Sequence, residues 1–278
     1  MTDYEQQMNK DVRTAFTKKV LATVCLQLIL TTVIVWAICS IESIFQLFVT
    51  YFAPILIISI VGSFAIACCV NCIKGHPQDI ILITLFTIFE SMVLASCCIL
   101  FEPSILICAF GITAFVTVCL TVYALVTKTD FTGYGPYLLA FLFMLIGIGA
   151  LTAFGLFPIN VYAYLGILLF SFYLIYDVQK TVGSAKFEEE YSVDMYVVAA
   201  LNIYLDILNL FLYILQILAS SKKDSCVFCK QGIAVTVHSS LHKCSLYPDP
   251  SSCPEVSSFP YPTPLTCQSN SNTMNFFP

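Results

Sequence analysis

The sequence predicts an all-α membrane protein: a compact bundle of about seven transmembrane helices followed by a disordered C-terminal tail. Three observations predict it. Only 10% of the 278 residues are charged while 59% are hydrophobic, and a water-facing surface needs about 25% charged residues. Seven apolar runs are each long enough to cross roughly 30 Å of hydrocarbon at 1.5 Å per residue. The residues after 221 change composition abruptly, to Ser, Pro and Cys.

The first 19 residues are polar and too long for the front of a cleavable signal, so the first run is expected to stay as an anchor and 1–19 to form a cytosolic segment. Thr2 stands where myristoylation needs glycine. The transmembrane domain, 20–219, divides into spans near 20–40, 47–73, 80–100, 104–127, 134–157, 159–178 and 195–219. Short connections make neighbouring spans antiparallel. Pro54 predicts a tilt or kink in the second span, because its ring removes a backbone donor and crowds the preceding turn. Gly62, Ser63, Ala65 and Ala67 in that span, and Gly147, Gly149 and Ala150 in the fifth, would let helices approach closely.

Orientation follows from basic residues in short loops. Lys10, Arg13, Lys18 and Lys19 precede the first span, and Lys74, Lys128, Lys180 and Lys186 fall on the same side if all seven runs cross. The opposite loops carry Glu42 and Glu102 instead. That bias predicts a cytosolic N-terminus. Lys222 and Lys223 oppose it: either the earlier charges dominate, or the last run is re-entrant and the tail returns to the cytosol. Seven crossings is the reading adopted.

The tail, 220–278, clusters Pro248, Pro250, Pro254, Pro260, Pro262 and Pro264 and cannot pack a core. Nine of the 14 cysteines (Cys25, Cys39, Cys68, Cys69, Cys72, Cys97, Cys98, Cys108 and Cys119) lie in or beside apolar runs, so no disulfide framework is expected. Cys226-x-x-Cys229 with His238 and His242 has too short a gap for a zinc finger. A net charge of −5 excludes a basic nucleic-acid surface. His76 stands alone in a loop, and no phosphate loop or nucleophile elbow is present, so no enzyme chemistry and no cofactor is expected.

The apolar runs contain no Lys or Arg and three acids: Glu90, Asp177 and Asp206. A carboxylate at mid-span costs roughly 2.5–3.5 kcal/mol to insert and persists where it meets a cavity, a partner or an ion. Asp206 shares a stripe at steps of three and four with Ala199, Asn202, Asn209, Tyr213 and Gln216. That stripe should face the bundle interior, leaving Leu205, Ile207, Leu208 and Leu212 to meet lipid. Asn202, Asn209 and Gln216 also suit simple cross-helix hydrogen bonding. Asp177 ends a similar stripe of Tyr162, Gly166, Phe170 and Tyr173, but lies three residues before Lys180, so a solvated helix-end acid is an equal reading. Glu90, beside Ser91 and one turn from Thr87, is expected to face a pore or the bundle.

With no base in their spans, these acids must be protonated, share a proton or bind a cation. Neighbouring carboxyls titrate as a coupled pair, and oxygen-rich acid sites suit calcium. The acidic loop Glu188-Glu189-Glu190 with Asp194 reads as a solvated face that could also concentrate cations at a pore mouth.

Several stretches carry a family resemblance: VRTAFTKKVLATVCLQLILTT opening the first span, LFTIFESMVLA in the third, LTVYALVTKTDFTGYGPYL between the fourth and fifth, FYLIYDVQ in the sixth and ALNIYLDILNLFLYILQIL in the last. Over residues 10–221 the chain resembles the Bax-inhibitor (Lifeguard) family of transmembrane proteins, and its animal Lifeguard branch in particular. The resemblance implies a six- or seven-helix fold without enzymatic activity, residing in the endoplasmic reticulum, Golgi or related endomembranes, with the plasma membrane as a further station. It implies a pH-sensitive calcium leak that lowers stored calcium and restrains apoptosis, with calcium as permeant or bound ion. It also implies an aspartate pair on the last two helices that forms a proton-responsive latch over the pore; the matching positions are Asp177 and Asp206. Glu90, Asn202, Asn209 and Tyr213 would line the path. The alternative is a non-conducting regulator, seated in the lipid bilayer, that binds death receptors or Bcl-type proteins through its loops or tail. Two features depart from the family: the second span lacks the arginine that some relatives place near the aspartates, and the tail matches no family element.

Overall fold

In the computed structural model, described over residues 3–70, 78–182 and 196–230, every long element is helical. The helices are α1 (Asp3–Ser40), α2 (Glu42–Thr50), α3 (Phe52–Val70), α4 (Gln78–Cys98), α5 (Pro103–Val126), α6 (Gly135–Ala153), α7 (Ile159–Val182) and α8 (Tyr196–Lys230), with a 3-10 turn at Thr132–Tyr134. The chain divides into two units, Met1–Lys223 and Asp224–Pro278. In the second, only the helical backbone to Lys230 is described. His76, Lys74, Lys186, the acidic loop 188–194, and His238, His242 and the proline cluster of the tail lie outside the described residues.

Among the described residues, seven helices are long and apolar enough to cross a membrane: all but α2. Large apolar side chains stand on their outer faces, Ile107, Phe115, Phe143 and Phe64 among them. A soluble protein could not present so much contiguous apolar surface to water; this is a multi-pass membrane protein.

The expected second span is two helices. α2 ends at Thr50, and α3 restarts at Phe52 after Tyr51 (φ −107°, ψ 33°). Pro54 thus sits in the first turn of α3, where its missing N–H is not needed. The break occurs three residues upstream of the proline because the ring crowds the carbonyl four residues before it. The Ile55 N–H still donates to the Tyr51 carbonyl at 3.0 Å, so α3 begins regularly.

α6 stops in a Schellman motif. The Leu156 N–H reaches the Leu151 carbonyl (2.9 Å) and the Gly155 N–H the Thr152 carbonyl (3.0 Å), with Gly155 at φ 74°. That left-handed position suits glycine, and Pro158 follows to prevent the helix resuming before α7. At the other end α8 runs past the expected limit of 219 to Lys230, because no Gly or Pro interrupts the chain before Gly232.

α4 packs against α3 and α1, and α7 against α5 and α6. The main core joins Val20 and Val24 of α1, Phe86 of α4, Leu174 and Val178 of α7, and Ala200, Ile203, Tyr204 and Ile207 of α8. α8 is the most buried span. This corrects one expectation: Ile207 and Leu208 are buried, not lipid-facing. Here the helix is enclosed by its neighbours, so its apolar side chains meet the core rather than lipid.

Close approaches occur at particular small residues. A Cβ on Gly62 would lie 2.7 Å from the Phe89 ring, and one on Gly149 would lie 3.0 Å from the Tyr162 hydroxyl. Gly147 meets nothing within 4 Å, and Ala65 is exposed, so neither serves the packing expected of it.

Candidate functional site

The two stripes anticipated on the sixth and seventh spans face each other. Near one end of the contact, the Tyr213 ring of α8 lies over Gly166 of α7, whose would-be Cβ falls 2.6 Å from ring atoms. Only glycine leaves room there. Tyr213 also stacks on Phe170 (centroids 5.8 Å apart) and shares a 3.0 Å hydroxyl–hydroxyl hydrogen bond with Tyr162.

Two turns along α8, Asp206 faces Asp177, with the two side chains in hydrogen-bonding contact and Tyr173 electrostatically close to both. Asp177 is 6% exposed and Asp206 5%. Asp177 is therefore not a solvated helix-end acid, although it is only three residues from Lys180. Hydrogen bonding between two carboxyls requires that one of them hold a proton. The second oxygen of Asp206, Oδ2, is buried with no hydrogen-bond partner among the described residues. Such an orphan acceptor in an apolar interior is costly and has the chemistry to take a proton or a cation.

The end of α7 that carries Asp177 is held by two contacts, and the start of α8 by a third. Arg13 of α1 donates from Nε to the Val182 carbonyl (2.9 Å) and from a terminal guanidinium nitrogen to the Lys180 carbonyl (3.3 Å). These are orphan acceptors of a helix C-terminus, where a cation also complements the helix dipole. Gln179 accepts the Phe131 N–H (2.8 Å) and donates to the Thr129 carbonyl (2.9 Å), tying α7 to the α5–α6 connection. Lys19 of α1 sits 3.4 Å above the Tyr196 ring at the start of α8. Arg13 and Lys19, read from the sequence as orientation signals, thus also brace the two helices that hold the aspartates.

Glu90 is not part of this pair. It lies on α4 beside Ser63 of α3, and its charge is felt by Tyr204 of α8. Tyr204 is fully buried; its hydroxyl is 2.7 Å from Thr31 Oγ1 of α1 and also meets Ser91. One turn away, Gln27 Nε2 donates to Thr87 Oγ1 at 3.1 Å. This network joins α1, α3, α4 and α8. Its carboxyl was legible in the sequence, but Gln27, Thr31, Ser63 and Tyr204 were not singled out as site residues. Tyr204 and Asp206, two residues apart, point about 200° apart around α8, so the helix separates the two polar clusters. Of the remaining stripe, Asn202 and Asn209 are half-buried, and the Asn209 amide donates to the Leu205 carbonyl of its own helix (2.8 Å) rather than across to a neighbour. No group of three or more His, Cys, Asp or Glu side chains that could hold a metal ion occurs among the described residues.

The family described as inhibitor of apoptosis-promoting Bax1 matches residues 13–223. The Golgi anti-apoptotic protein of vaccinia virus (strain Lister) is 35% identical over 221 residues, covering 76% of this chain and 88% of its own. Protein lifeguard 4 of Mus musculus is 32% identical over 215 residues (76% and 87%). Protein lifeguard 3 of Homo sapiens is 29% identical over 220 residues (76% and 70%). The match begins at Arg13 and takes in all seven apolar helices, both polar clusters included, and the chain belongs to the Bax-inhibitor family of integral membrane proteins.

Proposed function

We propose that this protein is a pH-sensitive calcium leak pathway of endomembranes that restrains apoptosis, sealed at the Asp177–Asp206 contact. The observation that carries this reading is the buried carboxyl pair with an unpartnered Asp206 Oδ2. A pair that shares a proton holds α7 and α8 together; gaining or losing that proton, or binding a cation, changes the contact. Calcium acts as permeant ion or passing ligand, and the protein carries out no catalysis. Tyr213 and the half-buried Asn202 and Asn209 extend the polar face along α8, and Glu90 supplies an acid on its far side. The Lys and Arg bias of the short loops sets the N-terminus in the cytosol. The Golgi and anti-apoptotic wording of the viral relative's name supports an endomembrane setting and a role in cell survival.

The test is calcium flux into liposomes holding the purified protein, compared for wild type, Asp177→Asn and Asp206→Asn between about pH 6 and pH 8. Flux that responds to pH in the wild type and changes in both variants supports the reading. Flux untouched by either substitution removes it.

The names of the family and of the viral relative speak of apoptosis and not of ion transport, which favours a second reading: a non-conducting regulator that binds death receptors or Bcl-type proteins. Under it, protection of cells survives Asp206→Asn and is lost when loop or tail residues change.

A further inference from the structure

The cluster on the far side of α8 from the aspartates has the composition of a binding site in its own right. Glu90 is its one ionisable acid, and the facing stretches 20–40, 52–70, 78–98 and 196–221 carry no Lys or Arg to neutralise it. Around it stand neutral oxygens on three other helices. Ser63 of α3 is 5% exposed, and its hydroxyl lies beside the Glu90 carboxyl, to which it can donate. The Tyr204 hydroxyl of α8 reaches the same region between Thr31 and Ser91. Gln27 of α1, also 5% exposed, spends its amide N–H on Thr87 and leaves Oε1 buried without a partner. Thr87 is three residues before Glu90 on α4, so that oxygen lies within about one helical turn of the carboxyl.

A buried oxygen left without a donor is expensive, and Gln27 Oε1, together with the hydroxyls around one carboxylate, makes a cage that lacks only its positive centre. A single carboxylate balances a single positive charge. A divalent ion would leave one charge uncompensated in a low-dielectric interior, whereas neutral hydroxyl and amide oxygens suit a hard alkali cation. We propose that Glu90, Ser63, Gln27 and Tyr204 form a binding site for a monovalent cation, sodium in the first instance, separate from the aspartate pair. Bound there, the ion would fasten α1, α3 and α4 to the central helix.

The thermal midpoint of the purified full-length protein in detergent, titrated with sodium chloride against choline chloride at constant ionic strength, tests this. Wild type should show a saturable rise of about 5 °C with sodium, retained in Asp206→Asn and absent in Glu90→Gln. Ser63→Ala, a change that any helix tolerates, should keep the fold and lower the apparent sodium affinity severalfold. Equal midpoints in sodium and choline would overturn the proposal, as would a sodium response that persists in Glu90→Gln or disappears in Asp206→Asn. The outcome is independent of calcium flux, so the site can fail while the aspartate seal stands, and the reverse.

Discussion

The two faces of α8 handle buried polarity in different ways. Toward α7, Asp206 meets another acid, with Tyr173 nearby, and keeps one oxygen without a hydrogen bond. Toward α1 and α4, Tyr204 meets hydroxyls that can donate and accept in turn, Thr31 and Ser91. Around Tyr204 itself the second face closes with hydroxyls, in the cross-helix bonding that holds many membrane bundles, while Gln27 Oε1 close by is left without a partner. The first depends on a proton or an ion that the chain does not supply. A contact that needs an exchangeable particle can respond to its surroundings; a contact closed by hydroxyls mainly holds. On the proposed reading, the aspartate contact of the central helix responds to protons or ions, while the hydroxyl contacts of Tyr204 on the other face mainly hold.

Substitutions on the two faces should differ in kind. The largest expected effect is on flux. Asp206→Asn removes the shared acid and should change calcium flux by about 5- to 150-fold, the range of a coupling of 1–3 kcal/mol, with folding preserved on a thermal-shift assay. Next comes Gly166→Ala. Its methyl would strike the Tyr213 ring held between Phe170 and Tyr162, at a cost of about 1–3 kcal/mol, while Gly147→Ala, with open space around it, should leave the thermal midpoint unchanged or slightly raised. If the two alanines behave alike, the tight α7–α8 contact is misplaced.

On the face around Tyr204, Tyr204→Phe should cost about 0.6 kcal/mol of stability, the average for hydrogen bonds between membrane helices, and at most about 1.7 kcal/mol, with the pH response of flux retained. The smallest effect belongs to Arg13→Gln, which withdraws a charged cap from the carbonyls of Lys180 and Val182. A loss of about 0.3–1 kcal/mol is expected, seen as faster hydrogen exchange at the C-terminal turn of α7.

The same contrast explains what could be read in advance. The spans were legible because apolar length is a local property of the chain. The α7–α8 face was legible because its residues recur at helical spacing within each run, so Gly166, Phe170, Tyr173 and Asp177 fall on one stripe and Asp206 and Tyr213 on another. Spacing could not say whether Asp177 was buried, because the end of α7 is held by groups distant in the chain: Arg13 lies 167 and 169 residues from the carbonyls of Lys180 and Val182 that it caps, and Gln179 ties the same end to the α5–α6 connection. The other face was hidden for a similar reason. Gln27, Thr31, Ser63 and Tyr204 come from three separate helices, each an ordinary polar residue in an apolar run, and only packing gathers them. Nor could periodicity show that α8 is enclosed on all sides, which is why Ile207 and Leu208 were assigned to lipid.

The central claim is that Asp177 and Asp206 act as one unit, and a double-mutant cycle on calcium flux tests it most directly. Asp177→Asn, Asp206→Asn and the double substitution are compared in liposomes at several pH values between about 6 and 8. If the carboxyls share one proton, the double variant behaves like either single one and all three lose the pH response of the wild type. Effects that simply add, or a pH response that survives in the double variant, would show that the two aspartates act apart and that the seal lies elsewhere.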